Sequence, residues 1–139
     1  MATKEYWWEQ YQVQCNLVEW AHLEIIVPKM VMIMESFDTT QKHMLELTKE
    51  QGILYDHIMA KIETNARPIR EMIDIVDRRQ TTVKDGFEML VKEMHEQTQG
   101  HYQTESAFLS QWWKAQKTFS VWEGNTAKAN ALYEAMFGV

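Results

Sequence analysis

Asn65-Ala66-Arg67-Pro68 separates two long apolar stripes, and the reading of this stretch decides the fold. Before it, Met44, Leu47, Gln51, Leu54, Ile58 and Lys61 (or Ile62) recur at alternating spacings of three and four. After it, Ile69, Ile73, Val76, Gln80, Val83, Phe87, Leu90 and Met94 do the same. Such spacing lines side chains along one seam of an α-helix, and keeping it over several heptads is the coiled-coil pattern. Asn65 suits the left-handed residue that ends a helix, and Pro68 suits the first position of the next. The stretch is therefore expected to reverse the chain. A kinked continuous helix is the competing reading, since an apolar line also runs through Ile58, Ile62, Asn65, Ile69 and Ile73.

Working outward, the N-terminal segment carries its own stripe: Trp8, Tyr11, Cys15, Val18, His22, Ile25, then Lys29 or Met32. Pro28 removes a helical hydrogen bond and crowds the carbonyl of Glu24, so a kink is expected there. Ser36-Phe37-Asp38 reads as a turn, with Asp38 as N-cap and Gln41 completing a capping box. Gln99-Gly100 reads as a helix stop. A fourth stripe follows: Phe108, Trp112, Ala115, Phe119, Trp122, Thr126, Ala129, Tyr133 and Met136. The expectation is an all-α fold in one domain, with helices at about 3–35, 38–64, 68–99 and 101–136. These lengths suit an up-down four-helix bundle of long amphipathic helices. The alternative is an extended helical hairpin closed by dimerisation.

Composition narrows the function. The chain has 139 residues, 45% of them apolar, and a net charge of −6, half of it within residues 1–37. That surplus of acids excludes a protein that coats nucleic acid, which needs a basic face to displace counterions. The basic residues Arg67, Arg70, Arg78 and Arg79 are interleaved with Glu71, Asp74 and Asp77, as on a solvated helix face. A single cysteine, Cys15, leaves no internal disulfide. The most apolar run, Ile25 to Met34, contains Lys29 and is about half the length of a bilayer-spanning helix. With no signal-peptide pattern, a soluble, intracellular protein is expected, and a viral or phage structural component in a virion fits as well.

Chemistry-bearing motifs are few. A di-iron bundle requires two Glu-x-x-His motifs, and this chain has one, Glu19-Trp20-Ala21-His22. Glu19 and His22 are the only metal candidates, and no cofactor is implied. Cys15 lies among aromatics, where burial leaves a thiol inert. No nucleophile elbow, phosphate-binding loop or dinucleotide fingerprint is present, so an enzyme is not the favoured reading. The most unusual feature is the pair of doublets Trp7-Trp8 and Trp112-Trp113. Adjacent helical residues diverge by about 100°, so one seam cannot hold both rings. Trp8 and Trp112 fall on their stripes, with Trp7 and Trp113 on the flanks, and Trp is enriched at protein interfaces. The expectation is a helical interaction or structural protein that forms a homo-oligomer or docks a protein partner through these four residues. The rival readings are a protein lying on a membrane surface and a metal- or cofactor-binding bundle.

Overall fold

The computed structural model describes residues 3–49 and 55–138, without the side chains of residues 47–62. It is all-α: α1 (Lys4–Ala21), a π-helical turn (His22–Ile26), α2 (Val27–Lys49), α3 (Tyr55–Thr98) and α4 (Ser106–Phe137). Because the π turn joins α1 to α2 without a break, the described residues form three long rods. No described helix is long and apolar enough to cross a membrane.

Both expected breaks before residue 70 are absent. Ser36-Phe37-Asp38 lies inside α2, where Phe37 is buried and Ser36 Oγ donates to the Met32 carbonyl at 2.9 Å, as a mid-helix hydroxyl does. Asp38 is thus no N-cap. Asn65-Ala66-Arg67-Pro68 lies inside α3 and does not reverse the chain. A proline inside a helix costs about 3 kcal/mol. Burying Ile69 and Ile73 directly beyond it returns about 1.5–3 kcal/mol each, so the continuous helix wins. The segments expected at 3–35 and 38–64 do not stand as separate helices. The seam residues Leu47, Gln51, Leu54, Ile58, Lys61 and Ile62 lie outside the described side chains.

The expected stop at Gln99-Gly100 is present. Gln99 and Gly100 take positive φ of 55° and 72°, and the Gly100 N–H returns to the His95 carbonyl at 3.1 Å. This is the left-handed cap that satisfies the last carbonyls of α3. The turn holds Tyr102, fully buried, before α4 starts at Ser106.

Packing directions follow from the contacts. Tyr11 on α1 meets Phe87 on α3 (5.9 Å between ring centroids), and Met32 on α2 lines a groove with Pro68 and Met72 on α3, so the first rod and α3 are antiparallel. Phe87 meets Phe119, and Arg70 donates to Asn130 Oδ1 at 2.9 Å, so α4 is antiparallel to α3. α4 runs parallel to the first rod: Tyr11 Oη donates to the Phe108 carbonyl at 3.0 Å, and Trp122 Nε1 to His22 Nδ1 at 2.9 Å. One core runs between the three rods, aromatic around Tyr11, Phe87, Phe108 and Phe119, and aliphatic around Ile26, Ile33, Ile69 and Val76. Arg70 sits over the Tyr133 ring near the end of α4. α3 begins fifteen residues before Arg70 and α4 ends four residues after Tyr133, so the α2–α3 pair continues past α4 by about eleven residues, roughly 16 Å at 1.5 Å per residue.

The π turn explains where the N-terminal stripe departs from expectation. The buried or core-facing positions are 11, 15, 18, 22, 26, 30, 33, 37 and 40. A regular heptad line would pass from 22 to 25, 29, 32 and 36. The observed line is displaced by one residue beyond His22, and the wider π turn absorbs that residue, its Val27 N–H bonding to the His22 carbonyl. Pro28 follows directly, where a proline ring would press on the Glu24 carbonyl of a regular helix. A π turn is therefore found where a kink was expected.

Candidate functional site

Two residues beyond each core-facing position of the first rod is a face turned by about 200° from the core seam. From 11, 15, 18, 22, 26 and 30 this gives 13, 17, 20, 24, 28 and 32. The residues are Val13, Leu17, Trp20, Glu24, Pro28 and Met32, all of them exposed. Trp20 leaves 54% of its surface to solvent and Val13 52%. Five of these six outward positions are apolar, on a helix whose opposite side already forms the core. The stripe reading did not single out Val13, Leu17 or Trp20, because it follows the buried seam. The signal was the second apolar line, offset by two residues.

Toward α3 this face becomes a groove of about 370 Å³, lined by Leu17, Trp20, Ala21 and Ile25 on one side and Ile75 and Val83 on the other. Arg78 and Arg79 line its edge. The Arg78 Nε donates only a long bond, 3.4 Å, to the Asp74 carbonyl. Among the described residues the ion pairs are Lys4–Glu105, Arg70–Asp74 and Lys114–Glu19, so neither Arg78 nor Arg79 has a carboxylate partner there. Glu24 has no ion-pair partner among them either.

The tryptophan doublets separate. Trp7, expected on the flank, is buried at 8% exposure, while Trp8 is half-buried against the core. The seam enters α1 at 7 and 11 rather than at 8 and 11. In the second doublet Trp112 is half-buried and Trp113 is 64% exposed, with the rings edge-on at 4.9 Å. Trp113 follows the exposed Leu109 by one turn, making a smaller apolar patch on α4. Of the four expected interface residues, Trp113 presents the most surface and Trp7 the least.

The metal candidates are not brought into a ligand set. Trp122 Nε1 can only donate, so His22 Nδ1 carries a lone pair and the neutral ring holds its proton on Nε2. A metal at Nε2 would need that proton gone and Nδ1 protonated toward an acceptor, which an indole N–H is not. Glu19 faces Lys114 at 3.6 Å. Among the described residues no three His, Cys, Asp or Glu side chains come together as a metal-binding group.

Cys15, Glu19, His22 and Lys114 do line one small cavity of about 130 Å³ between α1 and α4. Burial pushes the Cys15 thiol up to about 11, opposite to what a nucleophile needs. At the other end of the molecule, His95 Nδ1 lies 2.7 Å from Tyr102 Oη and 3.2 Å from Gln103 Nε2. The amide can only donate, so Nδ1 accepts there, and burial lowers the His95 pKa. Burial likewise raises Tyr102 to about 12. For Cys15, His95 and Tyr102, burial thus favours the neutral form, as suits parts of the packing. Comparisons with protein-family models, curated proteins and solved structures find no match to this chain.

Proposed function

We propose that this protein is a non-enzymatic helical assembly protein that associates with copies of itself through exposed apolar helix faces. The observation that carries this reading is the line Val13, Leu17 and Trp20 on the outer side of α1. The three rods already bury a continuous core, so this line is not needed to hold one chain together. Exposed apolar residues grouped beside a groove mark interaction surfaces, and Trp is the residue most concentrated in interface hot spots. Long rods suit side-to-side association, because a helix face offers a straight, rigid contact line. The Leu109–Trp113 patch on α4 supplies a second face pointing elsewhere, as growth beyond a dimer requires.

The test is sedimentation velocity on the wild type and on the Trp20→Ser and Trp113→Ser variants, from micromolar to near-millimolar concentration. The reading expects a mass that rises above the 16.5 kDa chain in the wild type and rises less in at least one variant. Association that is identical in all three proteins would remove the exposed aromatics from the account.

A further inference from the structure

We infer that the outer face of the first rod is a two-fold interface, occupied by the same face of a second copy running antiparallel and centred on the π turn. This rests on the self-assembly reading and adds to it the surface, the direction and the register.

Two observations converge. The first is that the two ends of the stripe exchange places about the π turn, while its middle positions, 20 and 24, come level with Ile25 and Ala21. A two-fold axis lying between positions 22 and 23 pairs position 13 of one copy with 32 of the other, and 17 with 28. Val13 then meets Met32 and Leu17 meets Pro28, apolar against apolar at both ends, with Trp20 against Ile25 near the middle. A closed dimer requires this kind of self-complementary face. The acidic residues that bound the stripe, Glu9 and Glu35, come opposite Ser36 and Gln10 in this register, not opposite each other.

The second observation is charge. The same axis brings Glu24 of one copy level with the buried Ala21 of the other. Ala21 shares its groove with Arg78 and Arg79. Among its described residues, each chain therefore carries on one face an exposed carboxylate without a cation and two guanidinium groups without a carboxylate, at heights that match when a second copy is turned over. Both contacts form twice by symmetry. Trp20, one turn from Glu24, lines the same groove as Leu17, Ile25 and Ile75. Buried aromatic anchors ringed by charge pairs are the arrangement in which such pairs set partner register. An unrelated acidic helix would satisfy Arg78 and Arg79 but would leave Glu24 unpaired.

Charge exchange tests this. Sedimentation equilibrium is run on the wild type, Glu24→Arg, the double variant Arg78→Glu/Arg79→Glu, and an equimolar mixture of the two variant proteins. All three positions are exposed, and circular dichroism checks that each variant stays helical. The inference expects a wild-type dimer that each variant alone weakens by roughly tenfold or more, with the mixture restored toward wild-type affinity. In the mixed pair the arginine introduced at position 24 faces the glutamates introduced at positions 78 and 79, and the other contact keeps the native pairing. A wild type that stays monomeric overturns this interface and the self-assembly reading together. A wild-type oligomer indifferent to these charges, or a mixture that is not restored, overturns the interface alone and moves assembly to another surface such as the Leu109–Trp113 patch. Recruitment of the monomer to anionic vesicles, lost on Arg78→Glu/Arg79→Glu, would assign the arginines to a lipid headgroup and also overturn the interface.

Discussion

Trp122 and His22 show how a polar pair is used inside this core. The indole N–H and the imidazole lone pair satisfy each other at 2.9 Å between α4 and the π turn, and Trp122 is almost wholly buried. Removing one partner strands the other. His22→Leu leaves a buried N–H without an acceptor, so we expect a loss of about 2 kcal/mol in urea unfolding. Adding Trp122→Phe should cost less than the sum of the two single changes; strict additivity would mean that the bond contributes nothing. His95 adds a dependence on pH. Its pKa is lowered in the fold, so the unfolded chain takes up the proton first. Stability is therefore fully present above the ordinary histidine value of 6.5 and is lost as pH falls through the lower folded value. We expect the thermal midpoint to drop over that acidic range, and His95→Gln to flatten the drop. A variant profile parallel to the wild type would place the pH dependence elsewhere.

At the scale of the element, the π turn is the feature on which the first rod depends. It takes up one residue that a heptad line cannot place, and it keeps Ile26, Met30, Ile33 and Phe37 on the core side after Tyr11, Cys15 and Val18. Deleting the exposed Leu23 should convert the turn to regular α-helix and restore an unbroken heptad line. Pro28 would then crowd a regular helix, so the deletion is paired with Pro28→Ala. We expect this variant to fold with a thermal midpoint near or above wild type. Loss of the folded baseline would show that the turn is needed for more than phase.

The same element marks the limit of what periodicity could reveal. Ile69, Ile73, Val76, Gln80, Phe87 and Met94 were all legible as the buried seam of α3, and Phe108, Ala115, Phe119, Trp122 and Ala129 as that of α4. Heptad phase is strong evidence in an uninterrupted helix. It carries no information about an inserted residue, so the line was continued to Ile25 when Ile26 is the buried position. Turn chemistry misled at Asn65 to Pro68 and at Ser36 to Asp38, because local propensity is worth under about 1 kcal/mol per ordinary residue and about 3 kcal/mol for proline, and neighbouring core side chains outweigh it. The outer stripe was missed for a related reason. A line of apolar residues opposite a seam is visible only after the seam has been placed.

At the scale of the molecule, three rods close one core and leave an apolar line along the outside of the first. The four-segment expectation and the observed chain agree on the all-α class, with long helices lying side by side. They differ in how many turns the chain makes. Within residues 3–49 and 55–138, the large apolar residues left exposed include Val13, Leu17 and Trp20 on the first rod and Leu109 and Trp113 on α4. A net charge of −6 opposes close approach of two copies, so any contact must bring acids against bases, as the Glu24 and Arg78–Arg79 clusters allow. The most direct test is the mass of the unmodified chain in solution, by light scattering coupled to size-exclusion chromatography over a wide concentration range. The account predicts a discrete species heavier than 16.5 kDa that grows with concentration. A mass that stays at one chain up to near-millimolar concentration would contradict it.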